Sequence, residues 1–173
     1  MRPFHPFWSL ELPRVDGQLL LTPCPGTQQV ALSQALEQLR LAGAHGVITL
    51  MTTTELEKFE LTQLGQQVTQ AGMRWFQLPI SDDRAPDAEF DVRWQQVLPS
   101  LLDLLQDGKH VAIHCRGGSG RTGLVAATIL LTLGQPPLEA IAMVKAIRPK
   151  ALTLATHLQW LHRQSLGGIA LAD

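Results

Sequence analysis

The chain has 173 residues with a mean hydropathy of +0.07, and its 14 Lys and Arg nearly balance its 15 Asp and Glu. Because 45% of the residues are hydrophobic and 17% are charged, most of the chain is expected to fold, as a single domain over residues 1–173. The formal net charge of -1 argues against nucleic acid as a partner, because such binding needs a basic face. A membrane span is not expected either, because the longest mainly apolar run, residues 124–133, is too short.

The two cysteines, Cys24 and Cys115, lie far apart and have no neighbours at zinc-binding spacing. This pattern excludes a disulfide scaffold. Residues 1–8 contain prolines and a histidine where a signal peptide would need an uninterrupted apolar stretch. We therefore expect a cytoplasmic protein with reduced thiols, and a monomer because no heptad repeat or long apolar edge strand stands out.

The first half of the chain alternates predicted strands with predicted helices. Residues 18–22 form an apolar strand that a Pro/Gly turn closes, and leucines at helical spacing follow over residues 32–39. Residues 47–51 form a continuous apolar strand, which is typical of a sheet covered on both faces. Residues 52–55 then provide helix-start chemistry for one helix that extends to Gly72.

The middle of the chain continues this alternation. A third strand is predicted over residues 74–80, followed by a polar loop over residues 81–87. A helix is predicted over residues 97–105, in which Pro99 marks a kink or the start of the last part. Residues 110–114 form a further apolar strand that runs directly into a Gly-rich segment.

Three more helices are predicted, from the Gly-rich segment to Leu133, over residues 136–148 and over residues 152–163. Strands that alternate with helices imply right-handed crossovers, so the predicted fold is α/β, with a mainly parallel central sheet flanked by helices. In such sheets ligands bind outside the carboxyl ends of the strands. The loops that contain Asp82 and Cys115 both fall on this edge.

The segment from Cys115 to Arg121 joins an apolar strand to an apolar helix and contains three glycines. Glycines allow consecutive N–H groups to turn inward as a nest for an oxyanion, and the helix adds its positive end. An ATP-binding loop would instead end in Gly-Lys-Ser/Thr, and this segment has no lysine. The predicted phosphate-binding residues are Arg116, Gly117, Gly118, Ser119, Gly120 and Arg121.

Cys115 is the predicted nucleophile, because the amides, the helix N-terminus and the guanidinium of Arg121 stabilise a thiolate over a thiol. Arg121 can hold two phosphoryl oxygens bidentately. A cysteinyl-phosphate intermediate would form and be hydrolysed in a second step, when Thr122 donates a hydrogen bond to the departing thiolate. His114 is placed to bind the loop backbone or to tune the thiolate. Neither a metal nor another cofactor is expected, because the amides and Arg121 replace them.

A leaving oxygen departs poorly unless it is protonated, so a carboxylic acid is expected on another loop at the same edge. Asp82 is the preferred general acid because it lies directly after the predicted strand and Ser81. Asp83 is the alternative, and Asp87 is a distant third.

Residues 114–123, His-Cys-Arg-Gly-Gly-Ser-Gly-Arg-Thr-Gly, match the His-Cys-x5-Arg-Ser/Thr signature of protein tyrosine and dual-specificity phosphatases. The Gly-Gly pair and residues 79–87 resemble the kinase-associated phosphatase branch, whose acid loop places the general acid on Asp82. The resemblance extends from about Leu19 to Leu161 and implies a dual-specificity phosphatase-like fold. It also implies a phosphorylated protein as substrate, through phosphotyrosine with or without phosphoserine and phosphothreonine.

Several alternatives stay open at this point. Arg116 stands where phosphoinositide-directed relatives have a basic residue, but Ser119 replaces their second lysine, so a non-protein phosphate ester is the alternative substrate. A non-catalytic module that binds phosphorylated partners is another alternative. Cys24 could form a disulfide that protects Cys115 from over-oxidation. Arg148 could rim the pocket and hold acidic substrate residues, or simply complement a helix C-terminus.

Overall fold

The computed structural model describes residues 3–167, in which five strands form one sheet with helices on both faces. The domain predicted over residues 1–173 therefore extends at both ends beyond the described residues. The strands are β1 (Trp8–Leu10), β2 (Leu19–Thr22), β3 (Ala44–Thr49), β4 (Arg74–Gln77) and β5 (His110–His114). The helices are α1 (Leu32–Leu41), α2 (Thr53–Lys58), α3 (Leu64–Gln70), α4 (Ala88–Gln106), α5 (Gly120–Thr132), α6 (Pro137–Ile147) and α7 (Ala155–Leu166).

The strand order is β1-β2-β5-β3-β4, and every pair is parallel except the edge pair β1-β2. Side chains alternate between the two faces along each central strand. Leu21 and Ile113 enter the larger core, which α4, α5, α6 and α7 cover, whereas Leu20 and Ala112 enter the smaller core beneath α1, α2 and α3. The α/β prediction with a mainly parallel sheet is confirmed. Among residues 3–167, no helix combines the length and the apolar character needed to cross a membrane.

The single helix predicted from residue 52 to Gly72 is wrong, because the chain forms two short helices, α2 and α3. Helix α2 ends where Glu60 takes a left-handed backbone conformation, with φ of +58°. The Leu61 amide then bonds the Leu56 carbonyl, and the Glu60 amide bonds the Glu57 carbonyl. This bonding pattern is a Schellman helix end, and it was missed because glutamate stands where glycine is usual.

Several other element boundaries differ from prediction. Helix α4 begins at Ala88, because the Asp87 carboxylate caps it by accepting from the Phe90 amide at 2.9 Å, and Pro99 lies inside the helix. Strand β3 begins at Ala44 rather than residue 47, with a bulge in its pairing to β5. Strand β1 was not predicted at all. It holds Trp8 at the antiparallel edge of the sheet.

Candidate active site

The Gly-rich loop lies at the carboxyl edge of the sheet, where central strand β5 ends at His114 between β2 and β3. Cys115 is the first residue of the loop, and α5 begins at Gly120. Helix α5 is buried along almost its whole length. A buried strand and a buried helix therefore hold the loop from both ends, in the place predicted for a ligand site.

The Cys115 thiol lies inside the loop and is 4% exposed. Its Sγ accepts hydrogen bonds from the Gly118 amide at 3.3 Å and from the Thr122 hydroxyl at 3.1 Å. Both donors favour negative charge on sulfur, because a hydrogen bond to a thiolate is stronger than one to a neutral thiol. The structure thus brings together Cys115 and Thr122 as the sequence predicted.

Position 118 requires glycine, because of both its backbone conformation and its close neighbours. Its φ of +79° lies in the left-handed region, and a Cβ at this position would lie 2.6 Å from the Pro23 nitrogen and from the Thr22 carbonyl carbon. Gly117 and Gly120, in contrast, have open space where a Cβ would lie. Close packing of the loop against the end of β2 therefore depends on one of the three glycines.

His114 is fully buried and bonds the loop backbone, as predicted, in a chain of hydrogen bonds. Its Nδ1 lies 3.1 Å from the Cys115 carbonyl oxygen, which can only accept, so Nδ1 carries the proton. Its Nε2 then accepts from the Thr49 hydroxyl at 2.7 Å, and that hydroxyl accepts from Trp75 Nε1 at 2.8 Å. Burial lowers the pKa of His114 to about 4, so the ring is neutral at physiological pH.

Arg121 is 2% exposed, and three of its five N–H groups are occupied by protein acceptors. Its NH1 and NH2 groups donate to the two carboxylate oxygens of Glu55 at 2.7 and 2.9 Å, and NH1 also donates to the Ile80 carbonyl at 2.9 Å. Within residues 3–167, Nε and the second NH2 hydrogen donate no hydrogen bond, although Asp82 lies near NH2. These two donors form one edge of the guanidinium, which matches the spacing of two phosphoryl oxygens.

For Glu55 the sequence predicted only a role at the start of a helix, and this role is confirmed. The Thr52 hydroxyl accepts from the Glu55 amide, and the Glu55 carboxylate accepts from the Thr52 amide. Its second contact, with Arg121, joins residues 66 positions apart. Burial raises the pKa of Glu55, but the hydrogen bonds from Arg121 and Thr52 outweigh burial, so the pKa lies below its ordinary value. A capping-box glutamate carries no sequence signal for such a role.

The three candidate acids occupy different environments. Asp82 has an exposed side chain and forms an ion pair with Arg121, with Oδ1 3.4 Å from NH2. The exposed Asp83 has φ of +58°, and its amide donates to Asp82 Oδ1 at 3.1 Å. Asp87 caps α4 through its carboxylate. The side chain of Asp82 therefore lies beside the loop arginine, whereas that of Asp87 is engaged in a helix cap.

The acid loop is held at both ends. After β4 the chain stays extended, and the Ile80 amide bonds the Leu50 carbonyl beyond β3. On the other side, the buried His157 of α7 donates from Nε2 to the Arg84 carbonyl at 2.8 Å. These contacts fix the backbone around Asp82 although its own side chain is exposed.

Arg116 lines a cleft of about 330 Å³, together with the two acidic residues that contact Arg121, Glu55 and Asp82. Its guanidinium lies 4.7 Å from the centre of the Phe59 ring and donates to the Thr27 hydroxyl at 3.3 Å. Its side chain thus lies at the rim, while its backbone belongs to the loop. The cleft is lined by Thr52, Glu55, Lys58, Phe59, Ser81, Asp82 and Arg116.

Ser119 precedes α5, but its side chain does not cap the helix. Its hydroxyl instead accepts a hydrogen bond from Arg148 NH2 at 2.8 Å. The N-terminal end of α5 therefore faces the loop without a side-chain acceptor from Ser119. This helix end and the Gly118 amide, which points to Cys115 Sγ, place positive partial charge at the loop, and the full set of phosphate-binding amides stays a prediction.

Cys24 is buried beside the loop, where its amide donates to the Arg116 carbonyl at 3.1 Å, and both cysteines are free thiols. Burial raises the pKa of Cys24 to about 12, so its thiol stays protonated at physiological pH. A protonated thiol attacks oxidised sulfur slowly. The protective disulfide with Cys115 stays a prediction that this environment disfavours.

The arrangement is suited to one kind of chemistry. A buried sulfur with two hydrogen-bond donors lies on a glycine-rich loop at a helix N-terminus. The arginine at the end of this loop forms an ion pair with an exposed carboxylate. Such a loop can bind a phosphoryl group and transfer it to sulfur. Fold and site therefore define a phosphoryl-transfer enzyme of the cysteine-dependent class.

Comparison with known proteins agrees with this class. Residues 25–135 match a family model described as "Tc-R-P: Polymorphic toxin system, DSP-PTPase phosphatase". The chain is 30% identical to human cyclin-dependent kinase inhibitor 3 over 154 residues, which cover 84% of this chain and 71% of that protein. It is also 30% identical to putative tyrosine phosphatase 067L of Invertebrate iridescent virus 3, over 72% of this chain and 52% of that protein.

The fold comparison gives the same result. A crystal structure of kinase-associated phosphatase with its catalytic-site cysteine changed to serine superposes with a TM-score of 0.84 and 26% identity. The match covers 97% of this chain and 99% of that one. PTPMT1 shares the fold, with a TM-score of 0.71 and 21% identity over 92% of this chain and 95% of that one. The chain belongs to the family of tyrosine and dual-specificity phosphatases and is a cysteine-dependent phosphatase.

Proposed function

We propose that this protein removes phosphate from phosphotyrosine in protein substrates, with or without phosphoserine and phosphothreonine, through a cysteinyl-phosphate intermediate on Cys115. The observation that carries the proposal is the pairing of a doubly hydrogen-bonded Cys115 sulfur with the Nε and NH2 edge of Arg121, which has donors left over after the hydrogen bonds to Glu55 and Ile80 within residues 3–167. This pair provides a nucleophile and a bidentate clamp on the same short loop. It supports turnover rather than simple binding of a phosphorylated partner.

In the first step, the Cys115 thiolate attacks phosphorus, and the phosphorus–sulfur bond forms as the bond to the leaving oxygen breaks. Arg121 and the amides of residues 116–121 hold the non-bridging oxygens, where negative charge is concentrated in the transition state. Asp82, in its carboxylic acid form, gives its proton to the leaving oxygen. The position of Asp82 supports this assignment, because Oδ1 lies 3.4 Å from NH2 of the arginine that would hold the phosphoryl group.

In the second step, water attacks the cysteinyl phosphate. Asp82, now a carboxylate, accepts a proton from that water, and the phosphorus–sulfur bond breaks. The Thr122 hydroxyl, which already donates to the sulfur at 3.1 Å, stabilises the departing thiolate. Inorganic phosphate then leaves and the loop returns to its starting state.

We also propose that the protein works as a cytoplasmic monomer. The catalytic thiol has to stay reduced, which a reducing compartment ensures. The edge strands β1 and β4 have three and four residues, which is too short to invite pairing with another sheet.

The test is phosphate release from a phosphotyrosine peptide in the presence of EDTA, by wild type, Cys115→Ser and the matched control Cys24→Ser. We expect turnover by wild type and Cys24→Ser and none by Cys115→Ser, which should still bind phosphate. Phosphoserine and phosphothreonine peptides then define the range of substrates. Full activity in Cys115→Ser would overturn the mechanism.

Soluble phosphoinositides and nitrophenyl phosphate complete the assay. Cleavage of phosphoinositide without cleavage of any phosphopeptide would replace the protein substrate by a lipid headgroup. If wild type binds phosphopeptide but releases no phosphate from any substrate, the protein is a binding module. Gel filtration tests the monomer, and a dimer at micromolar concentration would contradict it.

A further inference from the structure

Arg148, which follows α6, lies against the outside of the catalytic loop. Its Nε donates to the Gly118 carbonyl at 2.9 Å, and its NH2 donates to the Gly117 carbonyl at 3.1 Å and to the Ser119 hydroxyl at 2.8 Å. One guanidinium thus contacts three consecutive loop residues. The sequence offered two roles for Arg148, at the pocket rim or at a helix end, and neither accounts for these contacts.

The two carbonyl contacts determine where the loop amides point. In a trans peptide the C=O and N–H bonds point in opposite directions. The Gly117 carbonyl points to Arg148, and the Gly118 amide of the same peptide points to Cys115 Sγ at 3.3 Å. The Gly118 carbonyl also points to Arg148, so the Ser119 amide of that peptide is turned towards the inside of the loop.

The flexible glycines make such a constraint necessary. A loop with three glycines can rotate its peptides at little energetic cost, and a reversed peptide would present a carbonyl oxygen to the phosphate. A carbonyl in that position repels the phosphoryl oxygens. Hydrogen bonds from Arg148 favour the orientation in which amides face the anion before it arrives, which is electrostatic preorganisation.

Trp8 covers the other side of Arg148. The guanidinium carbon lies 3.8 Å from the centre of a Trp8 ring, the distance of a close cation–π contact. Trp8 is fixed in strand β1, opposite Leu21 of β2. The tryptophan face and the loop carbonyls therefore hold the guanidinium between them, with its donors directed at the loop. Burial lowers the pKa of Arg148.

We propose that Arg148, held by Trp8, is a positioning residue that sets the orientation of the Gly117–Gly118 and Gly118–Ser119 peptides for phosphate binding. This proposal rests on the proposed function, in which the loop of residues 115–121 binds the phosphoryl group. Arg148 acts from outside the loop, through backbone carbonyls, and touches neither substrate nor sulfur. Its fork geometry is essential, because three acceptors in a row need several donors in one plane.

The experiment measures both anion binding and turnover. Tungstate, a phosphate analogue, is titrated into Cys115→Ser and into Cys115→Ser combined with Arg148→Gln, Arg148→Lys, Trp8→Leu or Arg163→Gln. Arg163 is an exposed arginine of α7 and provides the matched control. The same substitutions in the wild-type background are assayed for kcat and KM with nitrophenyl phosphate, and all proteins are compared by thermal unfolding.

We expect Arg148→Gln to weaken tungstate binding at least tenfold and to lower kcat/KM by about 10- to 100-fold, the loss typical of misplaced binding groups. Arg148→Lys should recover only part of the tungstate affinity and of kcat/KM, because an ammonium group keeps the positive charge but lacks the planar set of guanidinium donors. Trp8→Leu should act in the same direction with a smaller effect. Arg163→Gln should match its parent in every measurement.

An unchanged tungstate Kd in Arg148→Gln would overturn the proposal, and so would full recovery by Arg148→Lys, which would leave only a charge effect. If Arg148→Gln does not fold, the proposal is tested with Trp8→Leu instead. That variant must then raise the Kd for tungstate, and an unchanged Kd would overturn the proposal. Failure of the proposed phosphatase function would give a different result from failure of the positioning role of Arg148. In that case the chain has no Cys115-dependent turnover, while tungstate binding still reports on the loop.

Discussion

Glu55 accepts two hydrogen bonds from Arg121, at 2.7 and 2.9 Å, and so fixes the plane of a guanidinium that is 2% exposed. Glu55→Gln leaves one acceptor and removes the countercharge, so Arg121 loses its fixed orientation. We expect kcat/KM to fall by about 10- to 100-fold, because the clamp is then misaligned with the phosphoryl oxygens. Steady-state kinetics with nitrophenyl phosphate measures this loss.

Glu57→Gln is the control for that experiment, because Glu57 is exposed on the same short helix. It should leave kcat/KM unchanged. Equal rates for Glu55→Gln and wild type would show that the ion pair is not needed to orient Arg121.

Asp82 and Asp83 are adjacent, and of these two aspartates only Asp82 forms an ion pair with Arg121 within residues 3–167. Asp82→Asn removes the proposed proton donor, so we expect a loss of about 100-fold or more for phosphotyrosine. The loss should be smaller for nitrophenyl phosphate, whose leaving group needs less protonation. Asp83→Asn should leave both rates close to wild type. The reverse ranking of the two variants would assign the acid role to Asp83.

Thr122 donates to Cys115 Sγ from the first turn of α5, and Thr128 is buried further along the same helix with its hydroxyl on the Leu124 carbonyl. Thr122→Ala should slow hydrolysis of the cysteinyl phosphate by about 10-fold, the worth of one hydrogen bond to a charged group. Stopped-flow assays with nitrophenyl phosphate should then show a burst followed by slow turnover. Thr122→Ser should restore the wild-type rate, and Thr128→Ala should show no burst. A rate of hydrolysis in Thr122→Ala equal to wild type would remove this role.

Gly118 and Gly117 make a matched pair within the loop. Gly118→Ala places a Cβ 2.6 Å from backbone atoms of Thr22 and Pro23, in a left-handed conformation, whereas Gly117→Ala meets open space. We expect Gly118→Ala to abolish tungstate binding and activity, because the loop has to move away from β2. Gly117→Ala should retain most of both. Isothermal titration calorimetry compares tungstate binding by the two variants. Equal affinities would contradict the close packing of Gly118 against the end of β2.

The neutrality of His114 predicts how stability changes with pH. Its pKa is 6.5 in the ordinary state and about 4 in the folded protein, so below pH 6.5 the unfolded chain binds a proton that the folded protein does not. The free energy of unfolding should therefore be highest above pH 6.5 and should fall by about 3 kcal/mol from this residue as the pH is lowered towards 4. The buried His5, whose pKa is also lowered by burial, adds to the same trend.

Urea unfolding at pH 7 and pH 4.5 tests this expectation. His114→Asn should show a smaller difference between the two pH values than wild type, whatever its absolute stability. His162→Asn, at an exposed position of α7, should keep the wild-type difference. An unchanged difference in His114→Asn would mean that another group causes the pH dependence.

Some structural elements were predictable because their signals are local. Strand β5 and helix α5 are apolar runs joined by a glycine-rich loop, and the spacing of Cys115 and Arg121 is contained in that loop. Helix α4 was shortened in the prediction because the Asp87 cap is one aspartate among several in a polar loop. The break between α2 and α3 was missed because Glu60 adopts a backbone conformation that its residue type rarely takes.

The sequence by itself determined the fold class, the catalytic loop and the edge of the sheet on which it lies, because strand and helix patterns and short motifs act over a few neighbouring residues. Only the tertiary structure decided which side chains meet there from distant segments. Glu55 reaches Arg121 across 66 positions, and Trp8 and Arg148 come together from the two ends of the chain. Such contacts depend on the packing of whole elements, which no local pattern records. The chemistry is therefore visible in the loop, whereas the residues that hold the loop in position are visible only in the fold.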